Sequence, residues 1–242
     1  MENETRKSYL KKTPIFSGLS DEELGGVVPY VVRRKLKRNT VVFHENDPAT
    51  AFYLVKTGRV KIYKVGPDNR EQVLAILGDG QIFGDVPAFD GGPYPATAET
   101  MADSEIYLIR SEDFQELVRR YPGIAVKIIR VLGQRLRQSM ELVRDLSFKQ
   151  VPHRLAGLLV KLGSEYGREV GVAGGDMGET GAGAGGTLID LPLSRQELAD
   201  IVGTSRETVT RELKKMEREG LLEVDRRMIT IIDLGQLKAW AR

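Results

Sequence analysis

Residues 193–213, LSRQELADIVGTSRETVTREL, leave the backbone few choices. They read as two short amphipathic helices separated by a tight turn at Gly203. Ser194 with Glu197 has the spacing of a capping box, and Thr204 with Glu207 repeats that spacing. Leu198, Ala199 and Val202 give the first helix an apolar face; Val209, Leu213 and Met216 give one to the second. At about 100° per residue, the face opposite Val209 and Leu213 carries Glu207, Arg211, Lys214 and Arg218, with Arg206 at the N-terminal tip. Two capped helices with long polar side chains opening the second form a helix-turn-helix, the arrangement that fits a DNA major groove. An ordinary surface hairpin, with Glu207 serving only as a cap, would carry the same pattern.

The remainder of the chain sets bounds on its function. At 242 residues it has room for one large or two modest domains with a full core. Thirty-six basic against 34 acidic residues leave a net charge of +2, and the stretch from Thr187 to Arg242 is balanced. Affinity for nucleic acid would therefore rest on local placement and helix N-termini rather than on a basic surface. There is no cysteine. That excludes disulfides, thiolate-held iron–sulfur clusters and cysteine-based zinc sites. Met1 to Lys12 is charged and lacks an apolar h-region, and no apolar run approaches membrane-spanning length, which points to a cytoplasmic protein without a membrane partner.

From about Ile15 to Ile109 the pattern is of short strands and glycine turns. Val41–Phe43, Phe52–Val55, Val60–Tyr63, Val73–Leu77, Ala96–Thr100 and Ile106–Ile109 are strand-like, punctuated at Asp47-Pro48, Gly58, Gly66-Pro67 and Gly78-Asp79-Gly80. Regular short strands of this kind predict an antiparallel sandwich or barrel. A helix from Ser111 to Arg119 follows, then a long helix through roughly Asp145. On the long helix Ile129, Leu132, Leu136, Ser139, Val143 and Leu146 step by three and four, an a/d seam. Such a stripe packs either on its own domain or on a second copy. Arg154–Leu162 is a further helix, and Gly171–Gly186, half glycine, reads as a loop or spacer. Gly220–Val224 and Met228–Ile232 read as a hairpin around Asp225-Arg226-Arg227. A last helix, Leu234 to Ala241, carries Trp240 for core packing.

The run Ser205–Arg211, SRETVTR, resembles the recognition-helix signature of the CRP/FNR superfamily of bacterial transcription factors, and the similarity extends from about Leu10 to Trp240. Ile15–Leu19, Tyr53–Gly58 and Gly80–Asp85 resemble its cyclic-nucleotide-binding β-roll. The resemblance implies an α+β protein in three parts. Residues 1–120 would be an antiparallel β-roll sensor, 121–148 a dimerisation helix, and 149–242 a winged helix-turn-helix. It implies base contacts by Arg206, Glu207 and Arg211 at a TGTGA-like half-site, with Ser205, Thr210 and Lys214 beside them and the wing residues Arg226 and Arg227 facing phosphate or solvent. The chemistry is suitable, because arginine presents two donors to guanine and glutamate accepts from cytosine.

In the sensor, cyclic-AMP-responsive members carry Gly-Glu-Leu and then, about ten residues on, Arg-Ser. Here Gly84-Asp85-Val86 stands in the first place and Tyr94-Pro95-Ala96-Thr97 in the second. The arginine is missing and proline has no amide hydrogen. Burying a phosphate without that partner is costly, so cyclic AMP is disfavoured. Ser139 matches a position that touches the adenine in the family, but its neighbouring hydroxyl position is Met140. Haem needs axial ligands, and only His44 and His153 exist, both in positions suited to a surface or a cap. No metal site is expected. What remains is an unidentified small molecule bounded by Phe83, Gly84, Asp85, Val86, Tyr94, Thr97, Ser139 and Met140, or no effector at all.

The expectation is a homodimeric, sequence-specific regulator of transcription on double-stranded DNA. Activation and contact with RNA polymerase follow from family habit. A true cyclic AMP receptor, or a cyclic-nucleotide-binding module acting through protein partners, is the alternative. No nucleophile–base pair or phosphate-binding Gly-Lys-Ser/Thr loop appears, so an enzyme is not expected.

Overall fold

The computed structural model describes residues 2–171 and 185–241. It divides into two compact units, Met1–Ser139 and Met140–Arg242. The first opens with α1 (Glu2–Lys12) and α2 (Asp21–Val27). The strand-and-turn pattern does not anticipate either helix. Yet α2 starts on a capping box, with Ser20 Oγ accepting from Glu23 N at 3.2 Å and the Glu23 carboxylate accepting from Ser20 N at 2.7 Å. Seven residues are too few to display a helical period. Only the Ser-x-x-Glu spacing marked this helix.

The strands β1 (Val32–Leu36), β2 (Val41–Phe43), β3 (Ala51–Thr57), β4 (Val60–Val65), β5 (Glu71–Leu77) and β6 (Ile82–Phe83) come next. A single turn, α3 (Pro87–Asp90), precedes β7 (Thr97–Thr100) and β8 (Ser104–Arg110). The unit then continues into α4 (Ser111–Arg120) and α5 (Gly123–Phe148). The strands form two four-stranded antiparallel sheets, ordered β1-β8-β3-β6 and β2-β7-β4-β5. All six strands read from the sequence are present.

Five consecutive residues of β3, Ala51 to Val55, are buried, because both faces of its sheet are covered. Ala51, Tyr53 and Val55 point into the core between the sheets, with Phe43, Val60, Phe83, Tyr94, Ile106 and Leu108. Phe52 and Leu54 point the other way, into a second core built with Leu10, Leu24, Phe114, Ile124 and Ile128 of the helices. β8 divides its side chains in the same way, Ile106 and Leu108 inward and Tyr107 and Ile109 toward the helices. Strand β1 lies at a sheet edge, and four of its five residues are exposed. Its run Arg33-Arg34-Lys35 discourages pairing with another strand.

The second unit takes in the end of α5 and continues with α6 (Val151–Tyr166), β9 (Gly167–Gly171), β10 (Gly185–Ile189), α7 (Arg195–Val202) and α8 (Arg206–Arg218). It closes with β11 (Leu222–Asp225), β12 (Met228–Ile231) and α9 (Leu234–Trp240). The sheet order is β11-β12-β10-β9, antiparallel throughout. Two expectations are corrected here. The glycine-rich stretch is not all loop, since Gly171, Gly185 and Gly186 are ladder residues, paired as Gly185 with Gly171 and Gly186 with Val170. The rest of that stretch, 172–184, lies outside the described residues. Trp240 is not a core residue. It is only partly buried, with Lys215 Nζ 5.0 Å from its ring centre, and Leu237 supplies the buried contact of α9.

Candidate nucleic-acid interface

The α7–turn–α8 element is built by its caps. Ser194 and Glu197 close the capping box of α7, at 3.1 Å for Glu197 N to Ser194 Oγ and 2.6 Å for Ser194 N to the Glu197 carboxylate. The helix ends at Gly203, whose φ of 72° is left-handed and costs a glycine little. Both Gly203 N and Thr204 N donate to Ala199 O, which folds the chain sharply toward the next helix. The second cap is not the one the spacing suggested. Ser205, and not Thr204, is the N-cap of α8, accepting from Thr208 N at 3.2 Å with its hydroxyl 3.0 Å from that of Thr208. The Ser-x-x-Thr pair wins because Thr204 is taken up in the turn that closes on Ala199.

Val209, Leu213 and Met216 of α8 are buried, as are Leu198, Ala199 and Val202 of α7. Burial of one face leaves the other in solvent. Arg206, Glu207, Thr210, Arg211 and Lys214 line one open depression along the outer face of α8. Arg211 Nε donates to the buried Glu212 at 3.1 Å, yet the Arg211 side chain remains 70 % exposed. Thr210 returns its hydroxyl to Arg206 O, and Arg218 Nε to Lys214 O, so these two groups brace the helix. Ser205, read as a DNA contact, spends its side chain on the cap. Arg226 and Arg227 are exposed in the two-residue turn between β11 and β12, with Arg226 at a φ of 52°.

Of the sensor residues, Phe83, Gly84, Asp85, Val86, Tyr94, Thr97 and Ser139 lie in the first unit, and Met140 is the first residue of the second. Asp85 is buried and bound at 2.6 Å by Nη1 of Arg135 on α5, whose Nη2 also donates to Ile82 O. The second carboxylate oxygen, Asp85 Oδ2, is buried and has no hydrogen-bond partner among the described residues. Tyr94 is part of the core. Its ring stacks on Phe43 at 3.7 Å, and its hydroxyl donates to Ala51 O at 2.7 Å and accepts from Ala51 N at 3.1 Å. Phe83 stacks on Tyr53, and the buried Thr97 hydroxyl accepts from Glu45 N at 3.0 Å. Gly84 has φ 66°, and a Cβ there would sit 3.0 Å from Tyr53 and 3.1 Å from Tyr94. Val86 is exposed, as are Ser139 and Met140 on α5. The sequence reading missed Arg135. Its position four residues before Ser139, on the same helix face, was the available signal.

Of the seam on α5, Ile129, Leu136, Val143 and Leu146 are exposed apolar residues, and Ser139 is exposed beside them. Leu132 instead packs on the core of its own unit. Met140, at 64 % exposure, extends the apolar stripe between Leu136 and Val143. His44 is exposed after β2 and His153 is partly buried in the first turn of α6. Among the described residues no cluster of histidine and carboxylate could hold a metal ion, and no helix is long and apolar enough to cross a membrane.

Residues 33–121 match the model of the cyclic nucleotide-binding domain, and residues 153–240 match that of the Crp-like helix-turn-helix domain. The chain belongs to the CRP/FNR family of transcription regulators. It is 32 % identical over 215 residues to the cyclic AMP receptor protein of Thermus thermophilus, covering 89 % of this chain and 90 % of that one. It is 28 % identical over 233 residues to the CRP-like cAMP-activated global transcriptional regulator of Mycobacterium tuberculosis, covering 96 % and 98 %. The solved structure of the c-di-GMP responsive global regulator CLP of Xanthomonas campestris superposes with a TM-score of 0.73 at 29 % identity, over 88 % of this chain and all of that one. As a CRP/FNR-family chain it combines a sensor-type β-roll with a helix-turn-helix DNA-binding domain.

Proposed function

We propose that this CRP/FNR-family chain is a cytoplasmic, sequence-specific activator of transcription that binds a pseudo-palindromic, TGTGA-like site as a homodimer and engages RNA polymerase there. The observation that carries the reading is the outer face of α8. It leaves Arg206, Glu207, Thr210, Arg211 and Lys214 together in solvent, on a helix whose opposite face is fully anchored. Arginine and glutamate at the start of such a helix suit guanine and cytosine edges. Dimerisation is supported by the stripe Val126, Ile129, Leu136, Met140 and Val143 on α5, every member more than half exposed. A stripe of that size in water favours a partner of its own kind. Base reading is assigned to Arg206, Glu207 and Arg211, with Thr210 and Lys214 beside them, and phosphate contact to Arg226 and Arg227.

Selection from a random duplex library tests this directly. The expected result is enrichment of a two-fold motif whose half-sites lie about one helical turn apart. Enrichment of a single half-site would remove the homodimer, and no enrichment would remove the reading.

For the sensor we propose that cyclic AMP is not the effector. Relatives at 28 % and 29 % identity are named for responses to cAMP and to c-di-GMP respectively, so similarity assigns no ligand. The supporting observation is internal. Tyr94 occupies the aromatic core where the family arginine would stand, and Arg135 already neutralises Asp85. Cyclic AMP at micromolar concentration should leave the melting temperature unchanged, and a clear upward shift would overturn the assignment.

A further inference from the structure

Arg154, in the first turn of α6, spreads its guanidinium over three backbone carbonyls. Nη1 donates to Lys149 O at 2.7 Å, Nε to Val202 O at 3.0 Å and Nη2 to Gly203 O at 3.3 Å. Lys149 is the residue just past the end of α5, and Val202 and Gly203 are the last residue and C-cap of α7. Carbonyls at helix C-termini have no intrahelical donor and carry the negative end of the helix dipole. One planar cation therefore closes two helix ends at once. A lysine ammonium lacks the fork needed to do the same.

The position of that clamp matters for recognition. Gly203 and Thr204 direct their N–H groups inward to Ala199 O, and Arg154 holds the carbonyls of Val202 and Gly203 from the other side. Two residues later Ser205 caps α8, whose first residues are Arg206 and Glu207. A second tie runs in parallel. Lys149 Nζ donates to Ala241 O at 2.8 Å, next to Trp240, over whose ring lies Lys215 of α8. The segment 149–154 thus grips the helix-turn-helix at its turn and, through α9, along α8.

We propose that Arg154 is a positioning residue for DNA recognition. It fixes the direction in which α8 leaves α7 and ties that direction to the end of α5, without touching DNA itself. The proposal rests on the sequence-specific reading given above. The experiment uses the full-length protein carrying Arg154→Gln or Arg154→Lys. Affinity is measured, well below the melting temperature, for the duplex selected by the unsubstituted protein and for a scrambled duplex of equal length.

In Arg154→Gln the ratio of specific to scrambled affinity should fall about tenfold, while the scrambled affinity, set by phosphate contacts, stays unchanged. Arg154→Lys should fall between the two, since one ammonium can restore part of the carbonyl bonding. A purely structural role would lower the melting temperature and leave the ratio untouched, and that outcome overturns the proposal. Hydrogen exchange at the Thr204 and Ser205 amides supplies a readout that needs no DNA. Faster exchange in Arg154→Gln is expected, and unchanged exchange overturns the proposal even if the protein selects no duplex. A failure of selection by the unsubstituted protein alone strikes the functional reading instead.

Discussion

The carboxylate of Asp85, 2 % exposed, is held at 2.6 Å by the guanidinium of Arg135, 50 residues further along the chain on α5. Arg135 also donates to Ile82 O, so a single side chain pins the long helix to the strand end beneath it. Arg135 bonds Asp85 Oδ1, and among the described residues Oδ2 has no donor, which leaves Arg135 as the main compensation for a buried charge. Breaking such a pair from one side leaves that charge unpaired. Arg135→Ala should therefore destabilise the protein by about 3 kcal/mol, the low end for a buried pair because Arg135 itself is one-third exposed. A paired Asp85→Leu, Arg135→Met substitution should recover most of the loss. Denaturant unfolding of both variants checks this, and equal losses in the two would show that packing rather than charge is responsible.

Tyr94 satisfies both polar groups of Ala51 from within the aromatic core. Tyr94→Phe keeps the stack on Phe43 but leaves the buried Ala51 carbonyl and N–H without that partner. A loss of about 1–3 kcal/mol is expected, measured by thermal or chemical unfolding. Tyr94→Arg would restore the residue type found in cyclic-AMP-responsive members. It should fail to bind the nucleotide, because an arginine there would bury a second cation without a carboxylate, and calorimetry with cyclic AMP reads the result.

How much of this was legible in the chain depends on the range of the interactions involved. The strands of the roll and the two helices of the DNA-binding element are local patterns, and they emerged at nearly the right residues. The helix α2 carried its signal in two residues, Ser20 and Glu23, against a background of glycine. Strands β9 and β10 were hidden for a different reason. Gly185 and Gly186 have no strand propensity of their own and are ordered by pairing with β9, while Thr187 to Ile189 also pair with β12. The site divides along the same line. The exposed face of α8 follows from helical period alone, whereas the Asp85–Arg135 and Arg154–Val202 contacts join residues about 50 apart, and no local rule announces them.

The two capping assignments at the turn predict different outcomes. Ser205→Ala removes the hydroxyl that accepts from Thr208 N and should cost about 1 kcal/mol. Thr204→Ala removes a side chain that is not the cap and should cost well under half of that. Melting temperatures of the two variants decide between the caps, and the reverse order would restore Thr204 to the role its spacing suggested.

Alkaline pH should loosen the first unit through Tyr9. Burial pushes the Tyr9 hydroxyl up from 10.0 to about 12, against the lowering effect of the Gly80 N–H that it accepts at 3.0 Å. Its hydroxyl also donates to Val55 O, a bond that ionisation removes. The protonated form is therefore favoured by folding, and this contribution is complete below pH 10. It is lost as pH rises toward about 12, because the unfolded chain gives up its proton first. Tyr63, raised to about 12 by burial and by Glu99, adds to the same slope. Unfolding measured from pH 9 upward should show stability falling in this window, and Tyr9→Phe should flatten part of the fall. An unchanged slope in Tyr9→Phe would assign it to other groups.

Arg211 separates stability from recognition. Its guanidinium pairs with the buried carboxylate of Glu212, the next residue, but is itself 70 % exposed, so solvent screens the pair and can hydrate Glu212 once the arginine is gone; such a pair contributes about 0–1 kcal/mol. Arg211→Ala should therefore leave the unfolding free energy within about 1 kcal/mol of the parent. Binding to the selected duplex should weaken by about 1–3 kcal/mol, and the base preference should relax at one position in each half-site. Arg211→Lys keeps the charge but not the planar pair of donors, so it should hold affinity for scrambled DNA while failing to restore the lost preference. Full restoration by lysine would make Arg211 a phosphate contact, and an unchanged motif in the alanine variant would take it out of the interface altogether.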